Sequence, residues 1–80
     1  MYYVYMVRCG DGTLYTGYAA DPVKRAAVHN SGKGAKYTRS RLPVTLVYTE
    51  PAADKSTALK REYAIKQLSR AEKLALINQK

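Results

Sequence analysis

The chain has no phenylalanine and no tryptophan, one cysteine, one histidine, three prolines and only six acidic residues among its 80. Without Phe or Trp, the interior must be built from Tyr, Leu, Val, Ile and Ala, which leaves many phenol hydroxyls at its edge. The single cysteine, Cys9, cannot close an internal disulfide and has no companion for a metal site, which points to a reduced, cytoplasmic setting. Its place beside a turn suggests no chemistry. No apolar run approaches the about 20 residues that a membrane-spanning helix needs, and the N-terminus enters a strand directly, so neither signal peptide nor membrane anchor is expected. Heptads, internal repeats and low-complexity tracts are absent as well. At this length a single domain, residues 1–80, is expected, since a second could not close a core.

The shortage of acid is uneven. Fourteen Lys and Arg give a net charge of +8. Between Asp21 and Glu50 there is no acid at all, while Lys24, Arg25, Lys33, Lys36, Arg39 and Arg41 all fall there. A basic block of this kind points to a polyanionic partner, nucleic acid first; the alternative is a merely solubilising surface.

What is abundant is tyrosine, eight in all, and it crowds the first stretch, YYVYMVRCGDGTLYTGY. Tyr2 to Val7 and Thr13 to Tyr18 are rich in aromatic and β-branched residues, and Gly10-Asp11-Gly12 between them tolerates positive φ, so a hairpin is expected with a plain turn at its tip. Alternation puts Tyr3, Tyr5 and Val7 on one face of the first arm and Tyr15 with Gly17 on one face of the second. Two phenols can therefore flank a gap left by a glycine.

Asp21-Pro22 then starts a helix, Asp as cap and Pro at the first helical position, running to about Asn30 before Ser31-Gly32 breaks it. Arg25 and His29 lie one turn apart on one face, and Val23, Ala26 and Ala27 are left for packing. Residues 31 to 43 are expected to form a loop whose cations, Lys33, Lys36, Arg39 and Arg41, neutralise phosphates while Tyr37 stacks on a base. Val44 to Thr49 alternates as a third strand, with Val44, Leu46 and Tyr48 on one face. After a connection at 50–54, Asp54 or Ser56 caps a helix to about Leu68, whose apolar side is Ala58, Leu59, Tyr63 and Ile65. Glu62 falls among these. A carboxylate there must be paired, with Lys66 one turn on, or bind a cation at the rim of the core. Ser69 to Glu72 reads as a capping box for a last helix through Ile77, with Asn78 and the rest of the tail frayed.

No Cys/His cluster, Walker-type phosphate loop or Ser-His-Asp set is evident. The outliers Tyr5, Tyr15, Gly17, Arg25, His29 and Glu62 suit phosphodiester hydrolysis instead. That reaction needs a group to activate water, a cation on the phosphoryl oxygens and help for the leaving oxygen. A phenol is a poor base at neutral pH, so cationic neighbours or a relay to His29 must assist it.

At these residues the chain resembles the GIY-YIG nuclease family. Tyr3-Val4-Tyr5 corresponds to the first motif and Tyr15-Thr16-Gly17 to the second, with Arg25, His29 and Glu62 following in order. The run from His29 to Thr38, HNSGKGAKYT, is similar to that of the small stand-alone, YhbQ-like bacterial branch. The resemblance implies an α+β fold, β-β-α-β-α-α, with a central three-stranded antiparallel sheet in the order 2-1-3 flanked by helices. It also implies roles: Tyr5 and Tyr15 line the site and one of them orients or deprotonates water, Gly17 keeps space, Arg25 steadies the phosphate, His29 assists the tyrosine, and Glu62 binds one divalent cation, Mg²⁺ or Mn²⁺. Tyr3 stands in place of the family's first glycine and Thr16 in place of its isoleucine. Many family members carry a separate DNA-binding domain that has no counterpart here, so affinity must come from the basic surface or from a protein partner that supplies targeting. The expected function is a metal-dependent endonuclease acting on DNA rather than RNA, on branched, damaged or single-stranded forms, in repair or recombination. The alternatives are a nucleic-acid-binding module of the same fold with little or no turnover, and a basic protein-interaction adaptor, which would show no salt-sensitive binding to nucleic acid.

Overall fold

The computed structural model describes residues 1–79, and its organising element is β1 (Tyr2–Arg8). This is the middle strand of a three-stranded antiparallel sheet in the order β2-β1-β3. Val4, Tyr5, Met6 and Val7 are each at most 2% exposed, because a strand covered on both faces has to be apolar at consecutive positions rather than alternate ones. Its flanking strands are β2 (Leu14–Ala19) and β3 (Thr45–Ala52). The two faces of β1 seed two clusters. Val4 and Met6 pack with Tyr48, Ala52, Ala58 and Ile65, under helices α3 (Lys55–Lys66) and α4 (Arg70–Asn78). Tyr5 and Val7 pack with Cys9, Ala19 and Val44, on the side where α1 (Pro22–Asn30) contributes Ala26.

The helix starts are those expected. Asp21 accepts from the Lys24 N–H at 3.1 Å with Pro22 behind it, Asp54 accepts from the Thr57 N–H at 2.8 Å, and Ser69 with Glu72 forms a reciprocal capping box. These caps satisfy backbone donors that a helix cannot satisfy itself.

Elsewhere the structure corrects the expectations. The third strand runs on through Glu50 and Pro51 to Ala52; β3 lies at the sheet edge, where a residue without an N–H is tolerated. Val44, Leu46 and Tyr48 do not share a face. Met6 pairs with Tyr48 but Val7 with Leu46, so Val47 is an extra residue, and this bulge sends Tyr48 to the α3 side while Val44 and Leu46 stay on the α1 side. The loop at 31–43 contains a one-turn helix, α2 (Lys36–Arg39), too short and too basic to show a hydrophobic period. Val23 is 71% exposed rather than packed, with Ala27 exposed beside it, and on α3 Leu59 and Tyr63 are 42% and 68% exposed. Helix α3 buries only the narrow stripe of Ala58 and Ile65, two turns apart, and Leu59 and Tyr63 fall outside it. Asn78 belongs to α4 rather than to a frayed tail, and Lys80, the end of that tail, lies outside the described residues.

The hairpin tip also proves to be more than a turn. Gly12 has φ +86°, and Asp11 accepts from both the backbone N–H and the hydroxyl of Thr13. Gly10 is a seat for the basic loop: its N–H donates to the Arg41 carbonyl at 2.6 Å, and a Cβ there would stand 2.6 Å from the Leu42 carbonyl oxygen. Asp11 lies 3.1 Å from Arg41 Nε. The far end of the loop is held by Asn30, whose side-chain amide donates to the Val44 carbonyl and accepts from the Val44 N–H at 3.0 and 2.7 Å. Among the described residues no helix is long and apolar enough to cross a membrane.

A buried hydroxyl on β2 is mismatched. Thr16 is 3% exposed and its hydroxyl has no hydrogen-bond partner among the described residues. Thr16→Val keeps the shape and removes the orphaned polar atom, so it should raise the unfolding free energy by about 1 kcal/mol in urea titration. A lower stability for the valine variant would show that the hydroxyl has a partner.

Candidate active site

The hairpin register places Tyr5 opposite Gly17 and Val7 opposite Tyr15, so these side chains share one face. Gly17 is needed for space, since a Cβ there would lie 2.7 Å from the Tyr5 hydroxyl and 2.8 Å from Cζ. The Tyr5 ring therefore lies across bare backbone. Its hydroxyl meets Nε2 of His29 at 2.9 Å.

His29 is 1% exposed although it sits in the last turn of a surface helix, because the following loop folds over it. That passage depends on Gly34, whose Cβ would stand 2.8 Å from the His29 Cα and run into the ring. On the far side of the imidazole, Nδ1 lies 3.0 Å from Oγ1 of Thr38. The Thr38 hydroxyl donates to the Ala35 carbonyl at 2.8 Å, so its oxygen is left to accept from Nδ1–H. The Ala35 N–H also faces Nδ1, at 3.3 Å, beyond the usual 2.7–3.2 Å range of N–H donors. The shorter contact favours the tautomer with the ring proton on Nδ1 and Nε2 accepting from the Tyr5 O–H, over the one in which Nδ1 accepts from the Ala35 N–H. Thr38, fully buried on α2, was invisible in the sequence because it sits in a stretch that reads as exposed loop.

Tyr15 meets His29 edge-on at 5.5 Å and stacks on Tyr37 at 5.7 Å. The Arg41 guanidinium lies 4.0 Å from the Tyr37 ring centroid and donates to the Tyr37 carbonyl at 2.7 Å. Arg41 and Tyr37, expected to face nucleic acid, are thus already engaged within the fold, fixing Tyr15 and tying the loop to Asp11. Lys36 and Arg39 remain exposed on α2.

Tyr5, Tyr15, Gly17, Arg25, His29 and Glu62 all line one cleft of about 600 Å³ along the β2 edge, joined by Lys33 from the loop. Arg25 enters from α1 and Glu62 from α3. The Glu62 side chain is 15% exposed and its carboxylate lies 3.6 Å from Lys66 Nζ, so it both pairs one turn along its helix and faces the cleft. At 3.6 Å the pair is looser than a hydrogen bond, and the carboxylate keeps acceptor capacity. Among the described residues no group of three or more His, Cys, Asp and Glu exists. A single carboxylate of this kind suits a hard cation that keeps most of its waters.

Burial above all, then the Tyr15 phenol, pushes the Tyr5 hydroxyl up to about 12, with Glu62 adding to the rise and Arg25 opposing it. Burial, aided by Arg25, pushes His29 below its ordinary value. At neutral pH the cleft therefore holds a protonated phenol bonded to a neutral imidazole.

The family model of the GIY-YIG catalytic domain matches residues 1–75. The chain belongs to the GIY-YIG family. A UPF0213 protein of Halobacterium salinarum is 60% identical over 76 residues, which are 95% of this chain and 99% of that protein. One from Staphylococcus saprophyticus is 59% identical over 78 residues, 98% of this chain and 95% of its own. The solution NMR structure of the UPF0213 protein from Bacillus halodurans superposes with a TM-score of 0.63 at 48% identity, covering all of this chain and 86% of that one. A second NMR structure, of a protein from E. faecalis, matches with a TM-score of 0.63 at 41% identity over 98% of this chain and 83% of its own. This GIY-YIG domain is therefore of nuclease type, and its α+β sheet in the order 2-1-3 is that of its small relatives.

His29 is the only histidine, so its titration can be followed without assignment. Its folded pKa lies below 6.5, so between the unfolded and folded values the unfolded chain carries the extra proton. Stability should be insensitive to this group above about pH 7 and fall as pH drops through about 6.5 towards the folded pKa. Urea unfolding from about pH 7.5 to about pH 5, before the low-pH carboxylates respond, checks it; stability that rises over that interval would show a cationic His29 in the fold.

The proton position has its own readout. Thr38→Val leaves only the Ala35 N–H facing Nδ1, so the ring proton should move to Nε2, whereas Thr38→Ser keeps the wild-type tautomer. Imidazole ¹⁵N shifts distinguish the two, and an unchanged tautomer in the valine variant would remove Thr38 from this role.

Proposed function

We propose that this GIY-YIG domain is a metal-dependent endonuclease that hydrolyses phosphodiester bonds of DNA, in a cytoplasmic repair or recombination setting. The observation that carries this is the convergence of the Tyr5–His29 pair, Arg25 and Glu62 in one cleft with Lys33 at its edge. Arg25 binds the nonbridging phosphoryl oxygens, which suits a guanidinium fork. Tyr5 holds the attacking water. As the water oxygen bonds to phosphorus, its proton passes to the Tyr5 oxygen while the phenol proton passes to Nε2 of His29, 2.9 Å away. The resulting imidazolium keeps its Nδ1–H on Thr38, and the phosphorus–oxygen bond opposite the water breaks, its sugar oxygen taking a proton from solvent. The two-step relay is needed because a phenol raised to about 12 is not ionised at neutral pH. Glu62 would hold one Mg²⁺ or Mn²⁺, which neutralises charge building on the phosphoryl and leaving oxygens when bound. Lys33, Lys36 and Arg39 draw in the DNA backbone, and a protein partner adds targeting.

A second reading, a DNA-binding module with little turnover, is favoured by one specific feature: the Lys66 ammonium beside Glu62 competes with a cation for the one carboxylate that lines the cleft among the described residues.

Cleavage of branched, nicked, duplex and single-stranded DNA, and of RNA, with Mg²⁺ or Mn²⁺ separates the two. Tyr5→Phe, Arg25→Ala and Glu62→Ala should each lower the rate by about a hundredfold or more, and chelation should abolish it. If wild type binds DNA in a salt-sensitive way but cuts none of the panel, the binding module is the correct reading. Equal cutting by all three variants would place the chemistry elsewhere.

A further inference from the structure

Helix α3 shows two different faces near the cleft. Glu62 points into it. Tyr63, the next residue, is turned about 100° around the helix, is 68% exposed, joins neither core cluster and has no ring contact or hydrogen bond among the described residues. A turn before it Leu59 is 42% exposed. Lys66 lies one turn beyond both Glu62 and Tyr63, its ammonium 3.6 Å from the Glu62 carboxylate, so this face is continuous with the lip of the cleft. Lys55 and Lys60 are also exposed on α3. The two acids of this segment are occupied, Asp54 in capping the helix and Glu62 in the cleft, which leaves the outer face cationic around an open aromatic ring.

We propose that this face is a platform for an unpaired nucleotide of the substrate next to the scissile phosphate, its base stacked on Tyr63 and its phosphates met by Lys60 and Lys66. The proposal rests on the nuclease reading and narrows its substrate to DNA with a single-stranded segment at the cut. The occupant follows from the chemistry of the face. Two apolar side chains among three lysines are too little for a protein interface of ordinary size, whereas a polyanion complements the charge and every base offers a π face. Bases inside an intact duplex are stacked on each other and cannot lie flat on a phenol, so the nucleotide must be unpaired.

Binding of labelled oligothymidine and of a blunt duplex to the full chain, without metal and over a salt series, tests this. Tyr63 is exposed, so its replacement leaves the fold intact. Tyr63→Ala should weaken binding to the single strand by about fivefold to a hundredfold, with duplex binding unchanged and the salt slope preserved, since stacking releases no counterion. Tyr63→Phe should bind like wild type. Lys60→Ala should instead reduce the single-strand salt slope by about 0.7. Added oligothymidine should move the Tyr63 ring protons upfield. Equal single-strand affinity of wild type and Tyr63→Ala overturns the platform and leaves the nuclease reading standing. So does a dimer that Tyr63→Ala disperses in sedimentation, which would make the face a self-association surface. Wild type that binds neither DNA at low salt overturns the nuclease reading itself.

Discussion

The hydrogen bond between the Tyr5 hydroxyl and His29 Nε2 is the contact on which the rest of the molecule depends. It joins the central strand to the end of α1 across the sheet face, and both rings are almost wholly buried. Two glycines make room for it from opposite sides: Gly17 under the phenol and Gly34 over the imidazole. A buried phenol or imidazole without a partner would cost more than the bond returns, so each ring is the condition for burying the other. The loop that carries Gly34 then has to be held down, and the chain does so with Thr38 on His29, Arg41 on Asp11 and Gly10, and Asn30 on Val44. What reads as a basic loop is a strapped cover.

This explains which parts were legible in the sequence. The hairpin, the three helix caps and the residues of the cleft were accessible because each has a local or motif signature: Asp-Pro at a helix start, Ser-x-x-Glu at another, two tyrosine motifs with Arg, His and Glu at ordered spacings. The bulge at Val47 was not, because alternation continues to look regular along β3 and only the pairing with Met6 and Val7 reveals the extra residue. Thr38, Arg41 and Tyr37 were read by composition, as polar and basic loop residues. Their actual partners, His29, Asp11 and Tyr15, are set by tertiary contact that no local period announces. The same limit applies to Tyr63, which looks apolar in sequence but misses the two-residue stripe that α3 buries.

The electrostatics of the pair bear on how the site can work. Burial raises Tyr5 to about 12 and holds His29 below its ordinary value, so the proton rests on the phenol, and moving it to the imidazole with nothing in the cleft is uphill. Arg25 acts on both groups in the same sense, favouring phenolate over phenol and neutral imidazole over imidazolium. It therefore helps the first half of the relay and hinders the second. In the proposed reaction a phosphodiester on Arg25 would offset the guanidinium for both groups, easing the penalty on imidazolium while withdrawing the help to phenolate, and charge building on the phosphoryl oxygens would give the imidazolium a favourable partner. In the free domain burial first, and Arg25 second, keep His29 neutral, so on the proposed relay Nε2 stands ready to accept the phenol proton before any substrate arrives, without requiring any movement of the backbone.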